Sequence, residues 1–243
     1  MNFFKLFYKY YKSKSYISVD LNDIFSFVNS LDKNRNKHLL KKFNKLDVSK
    51  KIYKEGSYLK KITNKKFKKN TFGFEFQEYM NSMQDDLYKT SLKTLKYKNK
   101  KEKLFFEHAM LQHDLIHFLN EYDTTPIGEV MVLSNNLANE WRWSYFSILL
   151  ASFFMSIKNQ FTTKNIKFWY KIKYIQPYIL IKLIIEGYKI GKKSKWLMSV
   201  DFDKMFNKSV LEVRKELNIL PSSYWKEIQP LWLELHKHYK INN

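Results

Sequence analysis

Five glycines and four prolines are all that punctuate this chain of 243 residues, and that scarcity limits its fold more than any other feature. Sandwiches and barrels need a turn about every eight to twelve residues, and those turns lean on glycine and proline. With 44% hydrophobic and 18% aromatic residues the chain is also too apolar to stay disordered. The expectation is an all-α protein, long enough for one large helical domain that buries its core without staples. The chain has no cysteine. That excludes a disulfide framework, a catalytic thiol, a cysteine-ligated zinc finger and a thiolate iron–sulfur cluster, so any metal must be held by His, Asp or Glu.

Charge narrows the partners. Lysine and arginine total 44 against 23 acids, a formal +21, yet only Arg35, Arg142 and Arg214 are arginine. Readers of nucleic acid rely on the guanidinium fork, so this lysine-dominated excess argues against nucleic acid and fits solvated faces or attraction to an anionic membrane surface. The excess is uneven: +14 over residues 1–69, +1 over 70–100, −3 over 101–160 and +9 over 161–243. The acidic stretch is where chemistry is to be sought.

Targeting signals are faint. Residues 1–19 hold four lysines but neither a continuous apolar run nor a small-residue cleavage site, and no arginine of the kind a mitochondrial transit peptide favours precedes Arg35. The longest uncharged run, Trp143 to Ile157, reaches about 22 Å as a helix, short of a ~30 Å hydrocarbon core. No transmembrane span is expected. Along the chain the pattern predicts helices with basic solvated faces before residue 70, then a helix from Phe72-Gly73-Phe74 to about Lys98 and another over Leu104 to Glu121. A third starts at Pro126, with Thr125 as N-cap, and runs to about Lys158. Beyond it lie Lys164 to Tyr188, bent or broken at Pro177, then Asp203 to Leu217 and Ser222 to Tyr239.

Within the acidic stretch, His113-Asp114-Leu115-Ile116-His117 is followed twelve residues later by Glu129. Residues four apart on a helix stand one above the other, so both imidazoles project from one stripe, with Asp114 about 100° round as a ligand or orienting partner. Glu129 falls in the first turn of the next helix, where the macrodipole favours a carboxylate, and the tight turn at Pro126 folds that helix back. Two imidazoles and one or two carboxylates suit Zn or Fe(II). Leu104, His108, Leu111, Leu115 and Phe118 form one apolar seam, while Phe106, Met110, His113 and His117 share another side, the setting of an apolar cleft with a polar spot in it.

The plainer readings differ. A His pair one turn apart arises often by chance and is then structural. A zinc protease would need Glu where Asp114 stands, and His38, His108, His236 and His238 provide no frame for an HD-type phosphohydrolase. No Gly-x-Gly-x-x-Gly fingerprint announces a flavin or nicotinamide. Trp141, Trp143, Phe146, Phe153 and Phe154 read as ordinary core rather than as contacts to a lipid tail.

The set His113-Asp114-x-x-His117 with Tyr122-Asp123-Thr124 and Gly128-Glu129 resembles the metal-binding motif of the fourth coenzyme Q (ubiquinone) biosynthesis protein family. Asn70-Thr71-Phe72-Gly73 ahead of Tyr79 is similar to the segment before that family's helical core. Gly187 through Lys193, Val200-Asp201-Phe202 and Leu211 through Leu217 are similar to its carboxy-terminal part. The resemblance covers residues 70–220 and implies a helical domain there; outside it, the residue pattern itself gives a basic helical extension over 1–69 packed on the core and a carboxy-terminal helix over 221–243. It implies a metal site between two consecutive helices, usually described as zinc, formed by His113, Asp114, His117 and Glu129. It implies work in ubiquinone biosynthesis, either as the enzyme removing the carbon 1 carboxyl of a polyprenylated hydroxybenzoate, with or without hydroxylation, or as a non-catalytic prenyl-lipid-binding scaffold for the other biosynthetic proteins. The implied place is peripheral on the inner face of the cytoplasmic membrane, or on the matrix side of the mitochondrial inner membrane in a eukaryote, and a homo-oligomer stays open. One departure is Glu121, where many members carry Gly.

Overall fold

In the computed structural model, which describes residues 21–82, 97–162 and 177–241, every regular element is helical. In chain order these are α1 (Leu21–Phe43), α2 (Asp47–Glu55), α3 (Tyr58–Asn64), α4 (Phe72–Ser82), α5 (Lys100–Asn120), α6 (Pro126–Asn139), α7 (Trp143–Thr162), α8 (Pro177–Lys193), α9 (Val210–Leu217) and α10 (Ser223–Ile241). Two single turns of 3₁₀ helix, Leu197–Ser199 and Phe202–Lys204, lie between α8 and α9. The all-α expectation therefore holds among the described residues. Part of the expected helix beyond Ser82, and the Lys164 to Gln176 half of the helix expected around Pro177, fall outside them.

The chain forms two compact units, one of residues 32–119 and 193–220, the other of 1–31, 120–192 and 221–243. The first is organised by aromatic rings. Phe72 has no exposed surface and its ring lies within 6.3 Å of those of Phe76, Phe118, Phe202 and Phe206. Its backbone N–H donates to the Lys208 carbonyl at 2.6 Å, and that of Gly73 to Phe206 at 2.9 Å, which fixes the start of α4. Polar anchors sit at the edge. The Tyr58 hydroxyl donates to Asp201 at 2.6 Å, Lys51 bridges Asp201 and Asp203, and Lys61 bridges Asp203 and Glu55. Burial pushes both aspartates up, but the hydrogen bonds from Tyr58, Lys51 and Lys61 outweigh it and hold them below the usual carboxylate range.

The second unit packs α7 and α8 on α6. Val130 and Leu137 of α6, Leu149 of α7 and Leu180 of α8 form its buried cluster, with Ile127, Leu133, Tyr145, Phe153 and Ile184 against it. Glycine lets α8 come close: a Cβ on Gly191 would lie 2.2 Å from the Asn135 carbonyl oxygen, and one on Gly187 2.9 Å from that of Met131. The Asn139 amide seals the contact by donating to the Gly191 carbonyl at 2.8 Å.

Three sequence expectations change. The helix expected from Pro126 to Lys158 is interrupted at residues 140–142, giving α6 and α7. The cause is a buried ion pair, Arg142 donating from Nε at 3.2 Å and Nη2 at 2.8 Å to Glu140, which holds this stretch outside helical geometry. The helix expected from Asp203 starts only at Val210, because a reciprocal capping box of Ser209 and Glu212 begins it there. Trp141, Trp143, Phe146 and Phe154 are not core; they are 46%, 57%, 39% and 42% exposed.

Candidate metal centre

The site stands on α5, α6 and the turn joining them. Leu104, His108, Leu111 and Leu115 are buried, which turns the opposite stripe of α5, with Phe106, Met110 and His113, into a half-buried face. His113 and His117 lie on that stripe one helical turn apart. Their rings are 4.9 Å apart centre to centre and their Nε2 atoms 3.2 Å.

The end of α5 is held from outside the helix. The Arg214 guanidinium donates to the Leu119 carbonyl at 2.7 Å, and the Trp225 indole donates to the Glu121 carbonyl at 3.0 Å, so two carbonyls that a helix end leaves without partners are satisfied by side chains. Glu121 itself is left-handed, with φ of 60°. A residue with a Cβ is strained in that conformation, which glycine adopts freely.

The turn then restarts the chain as α6. The Thr125 backbone N–H donates to Asp123 at 3.0 Å, the Thr125 hydroxyl accepts from Gly128 at 3.4 Å and from the Trp232 indole at 2.6 Å, and Gln229 donates to Asp123 at 3.3 Å. No side chain fits at Gly128, because a Cβ there would sit 1.9 Å from the Asp123 carbonyl oxygen. Glycine next to Glu129 is thus a steric requirement of the turn that aims Glu129. The Thr125 N-cap and Pro126 at the first turn follow the sequence expectation.

His113, His117 and Glu129 each present one ligand atom, and the three atoms lie within 4.8 Å of one another. Asp114, half-buried on the same helix, is not part of that group. Two imidazole nitrogens bound to one ion at about 2.0–2.1 Å in tetrahedral geometry would stand about 3.3 Å apart, and the 3.2 Å between the two Nε2 atoms matches. Two nitrogens and a carboxylate oxygen, with no thiolate, form the donor set of a borderline divalent ion. The residues fit a metal.

The third histidine of α5 does something else. His108 is 1% exposed among Phe43, Tyr58 and Phe202, and it donates from Nε2 to the Met198 carbonyl at 3.3 Å. Burial pulls its pKa down to about 4, so it is a neutral core histidine. Sequence reasoning missed the residues that fix the site's frame. Arg214 and Trp225 lie far along the chain from it, and the one signal that marked Arg214 was its rarity in a chain that otherwise uses lysine.

A family model described as coenzyme Q (ubiquinone) biosynthesis protein Coq4 matches residues 34–223. A crystal structure of a protein from Nostoc punctiforme PCC 73102, named for ubiquinone biosynthesis, superposes with a TM-score of 0.58 at 16% identity, covering 88% of this chain and 95% of that one. That likeness speaks for the fold. No curated protein matches.

Proposed function

Because the chain belongs to the Coq4 family of coenzyme Q (ubiquinone) biosynthesis proteins, and membership carries a role in that pathway, we propose that it is a metal-dependent enzyme acting on the ring of a polyprenylated hydroxybenzoate. The reaction is removal of the carbon 1 carboxyl group. The observation that carries this reading is the convergence of His113, His117 and Glu129 within 4.8 Å.

In this reading His113 and His117 hold the ion through Nε2 and Glu129 closes the set, with Asp114 as an orienting partner or fourth ligand. Zn is the first candidate and Fe(II) the second. When bound, the ion supplies Lewis-acid stabilisation for the negative charge that develops on the ring as the carbon–carbon bond breaks. The chain's own part is to hold both imidazoles in one orientation, through the satisfied end of α5, and to bring Glu129 up at the start of α6. The electron pair of the broken bond stays on ring carbon 1 and takes up a proton there; if a hydroxyl group is installed instead, dioxygen and a two-electron donor are required as co-substrates. The half-buried Phe106 and Met110 beside His113 suit an apolar substrate.

Since a polyprenyl tail keeps its substrate in a bilayer, the protein works peripherally at a membrane and alongside other proteins of the pathway. Among the described residues no helix is long and apolar enough to cross a membrane. The test is to load the purified full chain with Zn or Fe(II) and to measure metal content and carbon dioxide release from a prenylated hydroxybenzoate. His117→Ala and His113→Ala should each lose at least about tenfold in metal affinity and all turnover. Unchanged metal binding by His117→Ala overturns the site. Tight metal binding with no turnover on any such substrate leaves the scaffold reading.

A further inference from the structure

Across the junction of α6 and α7 the burial of successive residues alternates. Glu140, Arg142 and Ser144 are 3%, 4% and 0% exposed, while Trp141 and Trp143 are 46% and 57% exposed. Glu140 and Arg142 are buried as an ion pair, while Trp141 between them and Trp143 at the first position of α7 are left outside. A buried pair of this kind adds little to stability, but it fixes a geometry. The two indoles and Phe146 form a surface cluster with ring centres 5.7 to 6.3 Å apart.

The cluster continues along α7, and α8 of the same unit bears an exposed stripe of its own. On α7, Trp143, Phe146, Leu150 and Phe154 follow one stripe at spacings of three and four and are all exposed, while Tyr145, Leu149 and Phe153 face the core. On α8, Tyr178, Ile181, Ile185 and Tyr188 are exposed on a second stripe, and Lys182, Lys189 and Lys192 are exposed on that same face. Among the described residues, nine of the twelve large apolar side chains most exposed lie between Trp141 and Tyr188. Single exposed apolar residues are ordinary; this concentration in one unit marks a binding surface.

Charge identifies the partner. The sequences of α7 and α8 contain five lysines and one acid, Glu186, which is half-buried and accepts a hydrogen bond from Ser222. A second copy docking through the same surface would set these lysines against themselves. Aliphatic side chains flanked by tryptophan, tyrosine and lysine instead match the boundary between acyl chains and anionic headgroups, where amphipathic rings and ammonium groups are both satisfied. We propose that the Trp141–Trp143 loop with the outer faces of α7 and α8 docks on an anionic phospholipid bilayer. The indoles enter the headgroup region, and Lys189 and Lys192 pair with anionic lipid. The inference deepens the membrane-bound reading given above and rests on it for its purpose, whereas its observations are independent of the metal ligands.

The experiment is flotation of the full-length protein with vesicles of phosphatidylcholine alone or mixed with phosphatidylglycerol. The native chain should partition at least about tenfold better onto the anionic vesicles, with the preference shrinking as salt is raised. Lys189→Glu with Lys192→Glu should cost about fivefold per lysine on anionic vesicles only. Trp141→Ala with Trp143→Ala should weaken binding about tenfold on them, with metal content and helicity unchanged. Partition equal to the native chain's in both double variants overturns the proposal, as does failure of the native chain to float with either vesicle. So does a native dimer that Trp143→Glu dissociates, which would make the face a homo-oligomer contact. Metal-dependent release of carbon dioxide in detergent separates the two readings. If surface variants that no longer float keep that activity, the docking surface stands apart from the chemistry; if native protein floats but never decarboxylates, only the chemistry falls.

Discussion

In the unit of residues 32–119 and 193–220, Phe72 lies against four other phenylalanine rings with no exposed surface, whereas in the unit of residues 1–31, 120–192 and 221–243 Trp143 lies against two rings and is 57% exposed. The first arrangement makes the fold, because burying a ring removes large apolar area from water and gains close packing. The second does neither to the same extent. It leaves apolar area in water, next to a buried ion pair. The second unit also buries Trp225 completely, so similar residues serve folding at one place and binding at another, and burial rather than residue type tells them apart.

The sharpest break in that comparison would come from truncating the first ring. Phe72→Ala should cost about 4 kcal/mol of unfolding free energy, the range for a large buried aromatic, read from the shift in urea midpoint. A cost below about 1 kcal/mol would mean that the ring cluster is not what stabilises its unit.

Next comes pH. His108, in the same cluster, has its pKa lowered to about 4 by burial, against about 6.5 in an unfolded chain. Between those values the unfolded state binds a proton that the folded state refuses, so stability rises with pH across the window. The contribution is full above about pH 6.5 and is lost as pH falls toward 4, a change of about 3 kcal/mol. Urea unfolding at a series of pH values should show that slope, and His108→Gln should flatten it. An unchanged slope would place the titrating group elsewhere.

Gly191→Ala probes the other unit's core by overpacking, since its new Cβ would meet the Asn135 carbonyl oxygen at 2.2 Å. The expected loss is about 2 kcal/mol. A neutral result would mean that α8 can shift on α6 freely, and that this unit lacks the tight packing seen in the first.

How much of this was legible in the sequence follows from where each feature gets its cause. The all-helical class could be read because scarce glycine and proline act locally on the backbone. His113, His117 and Glu129 could be read because helical spacing and one capped turn at Thr125 and Pro126 bring them together. The break at residues 140–142 could not, because neither glycine nor proline marks it; it depends on Arg142 and Glu140 being buried as a pair. The same blind spot made core of the tryptophans. Aromatic density says that burial is favourable, but which side of the helix junction Trp141 and Trp143 present to water is set by tertiary structure. The close approach at Gly191 and the support of α5 by Arg214 are likewise contacts across long stretches of chain, invisible to any window.

A smaller effect calibrates the scale without touching either core. Glu121→Gly relieves a left-handed residue with φ of 60° and gives up a partly exposed pair with Lys226 at 2.7 Å. A gain of about 0.5–1 kcal/mol is expected. A loss would show that the Lys226 pair outweighs the backbone strain.

The smallest effect is the one on which the comparison turns. Trp143→Ala removes as large a side chain as Phe72→Ala does, so if aromatic area stabilised both units alike the two would cost similar amounts. With 57% of Trp143 exposed, much of its apolar area is in water in both folded and unfolded states, and deleting it should move the unfolding free energy by no more than about 0.5 kcal/mol. The same substitution should raise solubility, because it takes apolar area off the surface. A loss above about 2 kcal/mol would mean that the indole is bound into the fold as Phe72 is. The exposed cluster would then be a strut of the second unit, and the contrast between rings that fold and rings that bind would dissolve.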